Sequence, residues 1–172
     1  MRAIVAALLL GLSGCGYHVA GETRDPLGPF LVEGGRILVP HVEAVAAAED
    51  GLRAELARAG SLAEGAEGRS AIVVEILRID EISEGVAAVP SARGAFPLAR
   101  ATSLAVTGRA SIRRGAIVER ETGDMRASEA IARAPEAAAS LVQRREAIRR
   151  AARLLGERLA RRLLGYPEPS EP

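Results

Sequence analysis

The sequence predicts an α+β protein, a two-layer sandwich in which a four-stranded, mostly antiparallel sheet carries two helices packed on one face. Three observations lead there. Two segments, near 43–59 and 135–163, repeat apolar residues at helical spacing, and four shorter segments are β-branched or alternate apolar with polar residues. Their order is strand, helix, three strands, helix. One apolar sheet face and two apolar helix stripes are then buried most simply against each other.

Ahead of these elements the chain opens MRAIVAALLLGLSGCGYHVAG. Arg2 precedes an apolar run from Ala3 to Leu12, the profile of a secretory signal peptide and too short to span a bilayer. Leu12-Ser13-Gly14-Cys15 resembles a bacterial lipobox, in which cleavage falls before a cysteine that already carries a diacylglycerol. Residues 1–14 are then the signal peptide. Cys15 becomes the first mature residue, bearing a diacylglycerol and a fatty acid; two or three acyl chains hold a protein where one holds it only reversibly. The next residue is Gly16 and not the aspartate that retains such lipoproteins in the inner membrane, so sorting to the outer membrane, on its periplasmic side, is expected.

Removing 14 residues from 172 leaves 158, the length of one domain, and with one cysteine no internal disulfide forms. Of the 23 basic residues one is Arg2, so the mature chain balances 22 cations, all arginine, against 22 acids. That neutrality, with an aromatic content of 2%, speaks against nucleic acid as a partner, since there is neither a basic footprint nor a stacking platform.

Residues 15–35 read as the acylated end and a flexible tether, because GETRDPLGPFLVEGG carries two prolines and four glycines. The domain is placed at 36–165. Arg36-Ile37-Leu38-Val39-Pro40 reads as its first strand. From Glu43 to Ala59, Val45, Ala48, Leu52 and Leu56 follow helical spacing, and Gly60 is a left-handed stop. Ala71 to Ile79 is a second strand whose alternation changes phase near Leu77, as a bulge would cause. Ser83 to Leu98, with Gly85, Pro90, Gly94 and Pro97, reads as a long loop. Thr102 to Arg113 alternates as a third strand; Arg114-Gly115 turns it into a fourth, from Ala116 to about Arg126, more polar as an edge would be. Pro135 opens a helix of roughly 30 residues, about 45 Å long. Its stripe is Leu141, Ile148, Ala152, Leu155, Leu159 and Leu163, and Gly165 with Pro167 ends it. Residues 166–172 form a disordered tail.

These residues together resemble the LptE family of lipopolysaccharide-assembly lipoproteins. The resemblance rests on Gly14-Cys15-Gly16-Tyr17-His18 after the lipobox, the Ile-Leu-Val-Pro strand, the helix end GLRAELARAG at Gly51–Gly60, and an arginine- and leucine-rich last helix. It runs along nearly the whole mature chain. Where the family often has an aromatic and Asn-x-Thr after the strand, this chain has His41, Val42, Glu43 and Ala44. The resemblance implies a non-enzymatic member of the lipopolysaccharide transport machinery, plug and assembly partner of the LptD β-barrel, assisting lipopolysaccharide into the outer leaflet.

Catalytic chemistry finds no residues here. His18 and His41 have no nucleophile beside them once Cys15 is acylated, Glu119, Glu121 and Asp124 read as a solvated edge, and no glycine-rich phosphate loop follows a strand. No cofactor is expected beyond the lipid on Cys15, and no metal. For the last helix, Arg145, Arg149 and Arg153 with the pairs Glu146–Arg150 and Glu157–Arg161 read as a solvated face. Candidate lipopolysaccharide contacts are Arg113 and Arg114 at the hairpin and Arg93 and Arg100 at the long loop, since a planar guanidinium suits bidentate phosphate binding. Solubilising charge is the plainer reading of the same four. Two other functions fit the outline: a periplasmic lipoprotein that activates a cell-wall synthase, and a carrier of single lipids, for which no cavity lining is evident.

Overall fold

The structure is a computed structural model that describes residues 28–35, 38–63, 65, 70–91, 94–131 and 137–166, with 83–91, 94–101, 137 and 138 described by backbone path alone. Cys15, His18, the lipobox, Arg93, Pro135 and residues 167–172 lie outside the described residues. The elements are β1 (Leu31–Gly34), α1 (Val42–Arg58), β2 (Ala71–Ser91), β3 (Gly94–Arg114), β4 (Ile117–Glu121), β5 (Met125–Ile131) and α2 (Ala137–Leu163). The α+β class and the packing of helices on one sheet face follow the sequence reading. The strand count does not.

The sheet has five strands but is four strands wide. Its order is β1-β2-β3-β4, with β5 also paired to β3: β4 covers Ser111–Arg114 and β5 covers Thr102–Gly108 of the same edge. The predicted fourth strand is thus cut in two at Thr122–Asp124. Gly123 takes φ +73°, and Thr122 holds the break by accepting the Ala110 N–H on Oγ1 at 3.0 Å while its own N–H donates to Ala110 O. Among the described strands β1 alone runs parallel, alongside Ala71–Val74 of β2.

The first strand lies five residues earlier than predicted, at Leu31 instead of Arg36. Residues assigned to the tether are therefore part of the domain. Phe30 is fully buried and its N–H donates to Ser61 O at 2.8 Å. Gly34 and Gly35, read as tether glycines, are where the chain leaves β2: a Cβ on Gly35 would sit 3.0 Å from the carbonyl carbon of Val74.

The predicted loop Ser83–Leu98 is the second large correction. β2 and β3 pair antiparallel from Ala71↔Arg113 to Ser91↔Gly94, so most of that segment is a two-stranded ribbon running past the end of β5. Its prolines read as breakers, but Pro90↔Ala95 and Ala88↔Pro97 stand where each strand has an open outer edge, the place a sheet tolerates proline. The phase change near Leu77 is a bulge between Ile76 and Arg78.

Both helices end in the same device. Gly60 (φ +64°) and Gly165 (φ +78°) turn left-handed, and the N–H groups of Ser61 and Tyr166 donate back to Leu56 O and Arg161 O. Arg120 on β4 adds a donor to the carbonyl of Leu163. The helices run in the same direction, with Glu43 near Arg145 and Glu55 near Arg161. They cross at Gly51 and Gly156, where backbone meets backbone: a Cβ on Gly156 would fall 2.8 Å from the carbonyl carbon of Ala48, and one on Gly51 2.9 Å from that of Arg153. Small residues at the crossing let the sheet-facing sides of both helices reach Ile72, Val74, Ile76, Leu104, Val106 and Ile112, all fully buried. This aliphatic core is built almost without aromatic rings, as the composition demanded.

Candidate functional site

Alternation along the strands sends every second residue of the sheet away from the helices. That face carries Glu33 on β1, Val73 and Glu75 on β2, Arg109, Ser111 and Arg113 on β3 and Glu121 on β4, with Glu33↔Val73↔Ser111↔Glu121 forming one row across four strands. None of them belongs to the apolar cluster. Arg109 bridges the face: its Nε donates to Glu75 at 3.0 Å and stands 3.6 Å from Glu121. The hydrogen bond to Glu75, with its negative charge, holds the Arg109 guanidinium above its ordinary pKa.

The predicted contact residues separate on this scaffold. Arg113 is half-buried, opposite Ala71 and Val118, and donates Nε to Ser111 Oγ at 3.1 Å. It pairs with no carboxylate among the described residues and lines an open cleft of about 550 Å³ with Glu33, Gly34, Gly35, Val73 and Glu75. Arg114 is exposed and engaged by Glu119 at 3.2 Å. Neighbouring strand residues point to opposite faces, so the two guanidinium groups do not converge on one ligand. Arg100 pairs with Gly85 on the ribbon, 13 residues along β3 from Arg113. At about 3.3 Å per residue that is over 40 Å, so they cannot share one small ligand.

The helix charges also depart from the expected pairs. Arg150 bonds Glu129 of β5 at 2.8 Å instead of Glu146, and Arg161 bonds Glu55 of α1 at 2.7 Å instead of Glu157. Glu55 is buried and holds α1 to α2, one carboxylate oxygen accepting from Arg161 and the other facing Arg58. At the start of α1 the backbone N–H of Glu43 itself, ahead of His41 at 3.5 Å and Arg145, holds the Glu43 carboxyl below its ordinary value. Among the described residues no group of three or more His, Cys, Asp or Glu is placed to hold a metal ion, and no helix is long and apolar enough to cross a membrane.

Among the solved structures that share this fold are two lipoproteins. One is a provisionally named lipoprotein of Caulobacter crescentus, 14% identical, matching 81% of this chain and 93% of its own with a TM-score of 0.51. The other is a minor lipoprotein of Acinetobacter baumannii, 11% identical, matching 84% and 98% with a TM-score of 0.53. Nearly the whole of each aligns, so the likeness is one of complete architecture. At such identities it speaks for the fold alone. No protein-family model and no curated protein matches the chain.

One polar group was not anticipated from the sequence. Thr107 is 7% exposed, points to the face away from the helices, and its Oγ1 has no hydrogen-bond partner. It lines a second cleft of about 390 Å³ with Leu77, Arg78, Asp124, Met125 and Arg126. The signal was partly present in the sequence: the bulge at Leu77 reverses the phase of β2 and turns Arg78 to the same side as Thr107.

Proposed function

We propose that this chain is a lipoprotein of the outer membrane, anchored through Cys15 on the periplasmic side, and acts in lipopolysaccharide transport as plug and assembly partner of an LptD-like β-barrel. The observation that carries the reading is the pairing of a lipobox-headed sequence with a fold that two bacterial lipoproteins have in full. The order and spacing of motifs that resemble LptE supply the specific assignment.

The role we propose needs binding surfaces and no covalent chemistry. The helix-covered side of the sheet is occupied by the protein's own core. The other side offers small residues and alternating charge, a surface suited to lie against a polar barrel lumen, while β4 and the ribbon give extended edges. For lipopolysaccharide itself Arg113 is the better of the hairpin candidates, since Arg114 already has Glu119 as its partner.

Depletion tests the reading. Loss of the chain is expected to lower the level of one large outer-membrane β-barrel and to leave lipopolysaccharide short of the cell surface, with cell-wall synthesis initially unchanged. A primary defect in cell-wall synthesis with normal surface lipopolysaccharide contradicts it and favours the synthase-activator role.

A further inference from the structure

We propose that Arg78, Thr107 and Arg126 form a binding site for a phosphate monoester borne on a hydroxyl-bearing group. The three residues stand directly opposite one another on three adjacent strands, Arg78↔Thr107 between β2 and β3 and Thr107↔Arg126 between β3 and β5. With neighbouring strands about 4.8 Å apart, the two arginines start roughly 10 Å from each other with the threonine midway, a span their side chains close on a group the size of a phosphate. Two irregularities build the recess. The bulge at Leu77 adds a residue to β2 at this row, and the break around Gly123 ends β4 just before β5 begins.

The groups are free to bind. Buried hydroxyls are normally hydrogen-bonded, yet the Thr107 Oγ1 is buried with no partner, beneath the cleft that Thr107 lines. Arg126 is exposed and makes no ion pair among the described residues, its main-chain carbonyl alone accepting from Arg158. Arg78 uses Nε toward Asp80 at 3.1 Å, and its terminal nitrogens remain available. An oxyanion between the guanidinium groups satisfies Thr107, which donates to it, and gains charge-assisted bonds on both sides. Asp124 at the rim repels a bare anion but accepts from a hydroxyl, which selects a phosphorylated sugar or polyol over inorganic phosphate. Leu77 supplies an apolar wall against which a sugar ring lies. The inference rests on this row alone and not on the envelope role proposed above.

The full chain in detergent is titrated with glucose 1-phosphate, and separately with phosphatidylcholine vesicles with and without a phosphatidylinositol monophosphate. Saturable binding is expected to at least one phosphorylated probe. It should weaken about tenfold or more, about 1.4 kcal/mol, in Arg126→Gln and in Thr107→Val. Binding of the soluble ester marks a free ligand, and binding of the vesicles alone marks a lipid headgroup. The ligand-free melting temperature of Thr107→Val should equal or exceed that of the wild type, because the hydroxyl removed has no partner to lose. Absence of saturable binding to either probe, binding unchanged in both variants, or a destabilised Thr107→Val overturns the site.

Discussion

Replacing Gly156 by alanine is expected to destabilise the protein even though alanine is the better helix former. In the middle of an exposed helix the exchange would gain about 1 kcal/mol. Here the new Cβ would stand 2.8 Å from the carbonyl carbon of Ala48 and 3.0 Å from the amide nitrogen of Leu52, where ordinary contact between carbons begins near 3.5 Å. Both obstacles are main chain, so no side chain can swing aside. Relief requires α1 and α2 to part by close to an ångström along the whole crossing, which thins the packing of Leu52, Leu155 and Leu159, all fully buried. A radial gap of that size forfeits about a quarter to a half of each dispersion contact, and overpacking of this kind costs about 1–3 kcal/mol. Set against the propensity gain, the net loss is up to about 2 kcal/mol, or up to roughly 8 °C in melting temperature for a domain of this size. Thermal unfolding followed by circular dichroism reads it, with exposed Ala46→Gly on α1 as the propensity control, expected to lose about 1 kcal/mol. A Gly156→Ala protein that melts above the wild-type temperature, as the propensity gain alone would have it, refutes the backbone-to-backbone crossing.

Other expectations concern charge and anchoring. Glu55→Gln should cost about 1–3 kcal/mol, and a double-mutant cycle with Arg161→Met should show favourable coupling, because the first variant leaves the Arg161 guanidinium without its counter-charge and the second leaves the buried Glu55 carboxylate half-paired; zero coupling by denaturant titration contradicts the clamp. Glu43 has a carboxyl held below its ordinary 4.5, so its contribution is present in full above that value and is lost as pH falls through the lower, folded value. Glu43→Gln should therefore lower stability slightly at neutral pH, flatten the acid limb of the stability curve, and converge on the wild type below the folded value. Metabolic labelling with a fatty-acid analogue should mark the wild type and miss Cys15→Ser; equal labelling of both excludes acylation at that residue.

The elements readable in the sequence are those whose own residues carry the signal. The stripe of α1, the alternation of β3 and the two terminal glycines Gly60 and Gly165 name their places because burial and left-handed turns leave local marks. Leu31–Gly34 leaves none, being four residues among glycine and proline that become a strand only because β2 lies beside them. The ribbon was hidden by Pro90 and Pro97, whose meaning depends on whether an outer edge is open. Gly123 breaks β4 from β5 without interrupting the polar run that made them look like one strand. Spacing along the last helix points Arg150 and Arg161 to partners one turn away, but their carboxylates stand on β5 and α1. The same limit applies to sites. Arg113 and Arg114 are neighbours in sequence and diverge in space, whereas Arg78, Thr107 and Arg126 meet only through strand pairing.

The central claim is tested most directly by extracting the native, acylated protein from outer membranes in gentle detergent and determining the mass and composition of the particle that carries it. The proposed role predicts a stable stoichiometric complex with one large β-barrel, in which the chain resists a protease that cleaves it when isolated. A particle that contains this chain alone, at every concentration and in every mild detergent, contradicts it.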